Sequence, residues 1–186
     1  VETPRETEAP ILPLAREAIT HIAIERPERP ALELALRDDG GWWLQSPVTA
    51  VISEYRIHTL LDLAASRPVS RFSLQDRDAT AYGLENSAIR ITYNHSWSLT
   101  FGHRAPLEQT RYVRLGDEAY LLNDLHFYIL TSPFATFIDQ RPLAGVGALR
   151  TLALPTLTLH NEAGKWRTEP PSELDADTMA RLSSAW

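Results

Sequence analysis

Apolar residues fall at every second position in two early stretches, 19–24 and 32–36, and in two late ones, 149–154 and 157–159. A period of two places alternate side chains on one face, so these segments are predicted to be strands with one buried face. The turns that follow, Asp38-Asp39-Gly40-Gly41 and Asn161-Glu162-Ala163-Gly164, hold the residue types that accept positive φ. Gly41-Trp42-Trp43-Leu44-Gln45-Ser46-Pro47 and Gly164-Lys165-Trp166-Arg167-Thr168-Glu169-Pro170 then share Gly, Trp and Pro at one spacing. That coincidence predicts an internal repeat.

Beyond each Trp-x-x-x-Pro the period becomes helical. Ile52, Ser53 and Ile57 form a triplet in which a polar N-cap sits inside a hydrophobic staple from N′ to N4. Leu174, Asp175 and Met179 repeat it, and Leu122, Asn123 and Phe127 supply a middle copy. The stripes continue as Ile57, Leu60, Ala64, as Phe127, Leu130, Phe134, and as Met179, Leu182, Trp186. Each would offer one narrow apolar face to a sheet.

The middle copy adds candidate strands at 69–74, 88–93, 97–101, 111–115 and 119–122. Asn94-His95 and Gly116-Asp117 are predicted hairpin turns, the second with Gly leading as a type II′ turn prefers. Pro133 should end the middle helix near Ser132, because it lacks an amide and clashes with the preceding turn. The expected fold class is therefore α+β. Largely antiparallel sheet is built from about three strand-strand-strand-helix units, one helix each, over 19–66, 69–140 and 148–186. Gly145-Val146-Gly147 reads as a flexible join before the third unit, and residues 1–15 as a polar, proline-containing tether.

In order along the chain, several short motifs resemble a bacterial family, domain of unknown function 4340. They are Ile19, Ile22 and Ile24, then Trp43-Leu44-x-x-Pro47, Tyr82-Gly83-Leu84 and Leu99-Thr100-Phe101-Gly102. Arg111-Tyr112-Val113-Arg114 and Ala119-Tyr120-Leu121-Leu122 complete the series, so the likeness runs from about Ile19 to the C-terminus. It implies an extracytoplasmic domain behind an N-terminal membrane anchor, in some members alongside ABC-transporter components of the gliding-motility type. A start at Val1, without Met, fits an anchor removed upstream. The resemblance supplies no catalytic residues.

Composition narrows the chemistry. With 18 basic and 24 acidic residues the net charge is −6, which lacks the positive field of a nucleic-acid binder. No cysteine is present, so disulfides, thiolate metal sites and cysteine nucleophiles are excluded. The uncharged run 125–138 is shorter than the roughly 20 residues a membrane span needs. The six histidines show no metal-ligand spacing, and no serine elbow or phosphate-binding glycine loop occurs. No catalytic, cofactor or metal residue is assigned on these grounds.

Asp124 and His126 are the nearest approach to an acid–base pair, with His103 as a loop histidine, but i, i+2 positions diverge on a helix. Trp43 and Trp166 are expected to plug the core, which turns Trp42 to the opposite face. Trp42, Tyr55, Trp97, His103 and Arg104 are then the candidate partner or ligand surface, because aromatics and Arg concentrate at interfaces. The leading expectation is a non-catalytic interaction or scaffold module on the periplasmic side, with ABC transporter-like subunits as partners. The alternative is a domain that binds glycan or peptide, and the third reading is a hydrolase.

Overall fold

Ile22 and Ile24 set the phase of the first strand, β1 (His21–Arg26), and both are fully buried while His21, Ala23 and Glu25 turn outward. The computed structural model describes residues 9–85, 89–107, 109–141, 150–162, 165–171, 178 and 181. The chain divides into two units between Asp139 and Gln140.

In the first unit, β2 (Arg29–Leu36), β3 (Trp42–Ser46) and β4 (Ala50–Val51) lead into helix α1 (Glu54–Ala64). Then come β5 (Ser70–Ser73), β6 (Ile89–Tyr93), β7 (Trp97–Arg104), β8 (Thr110–Leu115) and β9 (Glu118–Asn123), followed by helix α2 (Phe127–Thr131). The nine strands form one sheet in the order β4-β3-β2-β1-β6-β7-β8-β9-β5, every pairing antiparallel.

This overturns the expected three strand-strand-strand-helix units. β1 pairs with β6, so the first two stretches of strand share one continuous ladder rather than closing as separate modules. The physical reason is the core. Leu44, Leu34, Ile22, Tyr93 and Trp97 lie side by side on successive strands, and Leu32, Ile24, Ile91 and Leu99 form the next row. Rows that wide bury their apolar face only when both helical segments share it.

The two segments cross that face in opposite senses. α1 takes the chain from the β4 edge to the β5 edge, burying Ile57, Leu60, Leu61, Leu63 and Ala64. The return path through α2 buries Ile129, Leu130 and Phe137 in the same cluster. It ends against β4, where the Ser53 amide donates to the Phe137 carbonyl and the Asp139 amide to the Val51 carbonyl, both at 2.8 Å.

α2 is short for two local reasons. The Asn123 side chain accepts from the Leu125 amide and opens a 3-10 turn first, and Pro133 stops the helix after Thr131. Its last carbonyls are met from the sheet. Arg26 donates to Ser132 O at 2.7 Å and Arg29 to Thr131 O at 2.5 Å, cations placed where the helix dipole favours them.

Both expected hairpin turns are present. Asn94 and His95 have φ of 47° and 57°, and Gly116, at 60°, leads a two-residue loop between Leu115 and Glu118. Within the stretch expected as a tether, Ile11 and Leu12 are instead buried in the main core and the Ile11 amide donates to Ser66 O. Residues 1–8 lie outside the described residues.

The second unit contains β10 (Thr151–Leu154), β11 (Leu157–Glu162) and β12 (Lys165–Glu169), an antiparallel meander. Its Glu169-Pro170 peptide is cis, as is Ser46-Pro47 after β3. Of the expected third helix only Thr178 and Arg181 are described, and both are helical. Leu174, Asp175, Met179, Leu182, Trp186 and Gly145-Val146-Gly147 lie outside the described residues.

Candidate functional site

Strand alternation decides where the expected surface residues point. Leu44 is fully buried, so Trp42, two positions earlier, shares its face and packs against the main core. Trp43 faces the other way, with the Arg37 guanidinium 3.7 Å above its ring. The expected roles of the two tryptophans are therefore exchanged. Trp97 is in phase with Leu99 and Phe101 and also packs on the core.

Tyr55, on α1, is 64% exposed and hydrogen-bonds through its hydroxyl to that of Tyr128 on α2. Tyr128 is 43% exposed and Leu125, one turn earlier, 66%. Arg56 lies 5.8 Å from the Tyr128 ring. His103 and Arg104 end β7, about 20 Å along the strand from Trp97 at roughly 3.4 Å per residue. The five residues expected to form one surface are dispersed over two faces and both ends of the sheet.

Arg104 belongs to an ion network instead. Asp124 Oδ2 receives Arg104 Nε at 2.8 Å and Oδ1 receives Arg111 Nε at 2.7 Å. Arg111 also donates to Gly102 O at 2.6 Å and stacks 3.5 Å from the Phe127 ring centre. Burial alone would push the Asp124 carboxyl up, but Arg111 and Arg104 outweigh it and hold it below the usual carboxylate range. Neither His103 nor His126 bonds to it.

The outward face of the sheet carries the arrangement the sequence left unread. At its β5 end, Leu74, Leu84 and Ala119 bury a small second core with Phe72, Tyr82 and Tyr112. Here Tyr82-Gly83-Leu84 meets Gly102. A Cβ on Gly102 would overlap the Tyr82 carbonyl, so only glycine lets the turn seat. Beside it, the register sets Glu25, Arg90, Thr100 and Arg114 in one row across β1, β6, β7 and β8. A groove of about 370 Å³ opens there, lined by Leu84, Glu85, Arg90, Ser98, Thr100, Arg114 and Gly116.

Further along the same face His21 stacks on His95 at 3.8 Å and its Nε2 lies 2.9 Å from Glu33. Burial pushes the His21 pKa down and His95 adds to that, while Glu33 opposes it. Its position opposite Ile22 and Ile24 was legible from alternation, but its stacking partner His95, in the turn after the neighbouring strand β6, was not. Among the described residues no three His, Asp or Glu side chains gather as a metal would need, and no helix is long and apolar enough to cross a membrane.

A wide antiparallel sheet with one helix-covered face and one polar, grooved face defines the class. The chain belongs to the family described as Domain of unknown function (DUF4340), whose family model matches residues 42–185. The match begins at Trp42 and so leaves out Ile19, Ile22 and Ile24, the first of the motifs that resemble the family. No curated protein and no solved structure matches the chain.

Proposed function

We propose that this domain is a non-catalytic, extracytoplasmic interaction module, anchored to the inner membrane in the full-length protein and accessory to an ABC-type transport or gliding-like machine. The observation that carries the contact role is the exposed Tyr55–Tyr128 pair, joined by its hydroxyls across the two helical crossings and flanked by Arg56 and Leu125. Tyr and Arg are among the residues enriched at protein interfaces, Tyr because it brings large area at little entropic cost and Arg because its fork offers several donors. The membrane setting and the transporter subunits as partners rest on the family likeness.

The non-catalytic reading is supported by Asp124. An acid clamped by two guanidiniums is a weak base and a poor proton donor, so Asp124, the acid of the pair the sequence suggested with His126, is held for structure. A glycan or peptide platform on Trp42 and Trp97 has lost those residues to the core.

The test places a photo-crosslinking residue at position 55 of the full-length, membrane-bound protein in its own cells. Adducts with transporter subunits are expected. Recovery of the protein free in the cytoplasm, or without adducts from position 55, overturns the reading.

A further inference from the structure

We propose that the groove on the outward face of the sheet binds a small hydroxylated oxyanion, a sugar phosphate or a sugar carboxylate, between Arg90 and Arg114. The site uses none of the residues of the Tyr55–Tyr128 patch, so the two proposals stand or fall separately.

The register supplies the first argument. Arg90, Thr100 and Arg114 are direct cross-strand neighbours on β6, β7 and β8, so the outer two Cα atoms are about 10 Å apart with a hydroxyl between them. Two guanidiniums flank one small polar side chain on the same face. That spacing lets both converge on a single anionic group above Thr100.

Unspent donors supply the second. Arg90 meets Glu25 through one nitrogen, at 3.2 Å. Arg114 spends its Nε on the carbonyl of Gly116, in its own hairpin, at 2.8 Å. Among the described residues its two terminal nitrogens have no protein partner. A guanidinium carries five donors, so both side chains keep capacity for an oxyanion.

The groove is also pre-formed. Leu84 is almost fully buried and makes one wall, held by the turn that seats on Gly102. Gly116 leaves the rim open, since a Cβ there would meet nothing within 4 Å. The volume, about 370 Å³, is within the range of small-molecule sites. A wall fixed beforehand removes an ordering cost from binding.

Glu85 narrows the ligand. A carboxylate in the lining repels a bare polyanion but accepts hydrogen bonds from hydroxyls, as do Ser98 and Thr100. With a chain charge of −6 there is no long-range attraction for polyanions either. One anionic group with hydroxyls beside it suits the two guanidiniums, Glu85 and Thr100 together.

Calorimetric titration of the whole chain with glucose 6-phosphate, glucuronate, inorganic phosphate and glucose tests this. Saturable binding is expected for one of the two sugar acids, identifying phosphate or carboxylate as the anion, with weaker binding of phosphate and none of glucose. Arg114→Gln should weaken it roughly 10–100-fold, the value of a lost charge-assisted bond. Arg90→Gln should act in the same direction, each variant melting as the parent does. No saturable binding of either sugar acid, or undiminished affinity in both folded variants, overturns the site. Equal affinity for inorganic phosphate and glucose 6-phosphate overturns the hydroxylated ligand.

Discussion

The Tyr93 hydroxyl donates a 2.7 Å hydrogen bond to the Leu60 carbonyl, tying the end of β6 to the middle of α1 inside the core. Tyr93 is fully buried, and burial pushes its phenol pKa far up, so the group is a neutral donor at every working pH. The bond fixes where the first helical crossing rests on the sheet.

Tyr93→Phe keeps the ring and removes the bond, and should lower stability by about 0.5–1.5 kcal/mol. Tyr93→Ala adds a cavity and should cost about 3–5 kcal/mol. Urea unfolding followed by tryptophan fluorescence measures both. A Phe variant as stable as the parent would mean that packing alone positions α1.

Asp124 and its two arginines should differ sharply under mutation. Asp124→Ala leaves Arg111, whose side chain is 14% exposed, without its carboxylate and should cost about 3–5 kcal/mol. Arg104 is 72% exposed, so Arg104→Ala should cost less than about 1 kcal/mol. Because the folded carboxyl titrates below 3.8, its contribution is present above that value and is lost as pH falls through the folded pKa. Acid unfolding should therefore shift to higher pH in Arg111→Ala. An unchanged acid midpoint would remove the network from the stability of the fold.

His21 gives the opposite kind of titration from a raised histidine. Its folded pKa lies below 6.5, so the unfolded chain takes up the proton first. Its stabilising contribution is complete above about 6.5 and declines as pH falls through the window below. His95→Ala removes a neighbour that helps depress it and should flatten that decline, read as denaturation midpoints at successive pH values. Identical slopes in variant and parent would show that the stacked imidazoles are uncoupled.

Gly102→Ala should unseat the 79–84 turn, since the new methyl meets backbone that cannot swing aside. A loss of about 1–3 kcal/mol is expected, with faster amide exchange at Gly83 and Leu84 than elsewhere in the sheet. Uniform exchange across the unit would show that β7 gives way instead.

The elements that local physics controls were legible in the sequence. Alternation located β1, β2 and the strands from β6 to β9, and turn chemistry located Asn94-His95 and Gly116-Asp117. Pro133 ended α2 where expected, but Asn123 caps a 3-10 turn and α2 itself starts only at Phe127. Pairing was not legible, because nothing in Ile22 or Tyr93 says that β1 and β6 are neighbours, and the apparent modules merged once they were. Two adjacent tryptophans conceal their own phase, and only Leu44, two residues past Trp42, carries the signal that assigns the faces. Ile11 and Leu12 sit among prolines without periodicity, so their burial is decided by distant partners. The Arg90, Thr100 and Arg114 row exists only in register.

The return of the chain to β4 matters for how the molecule would bear tension. Val51 and Asp139, Ile52 and Ile138, and Ser53 and Phe137 are fastened to each other, which makes everything between them a loop with a closed neck. A pull applied at Thr20 and Asp139 would be transmitted through the first four strands and this neck, and the long excursion between would stay slack. The groove residues all lie on that excursion, where β6 is the strand paired directly with the loaded β1.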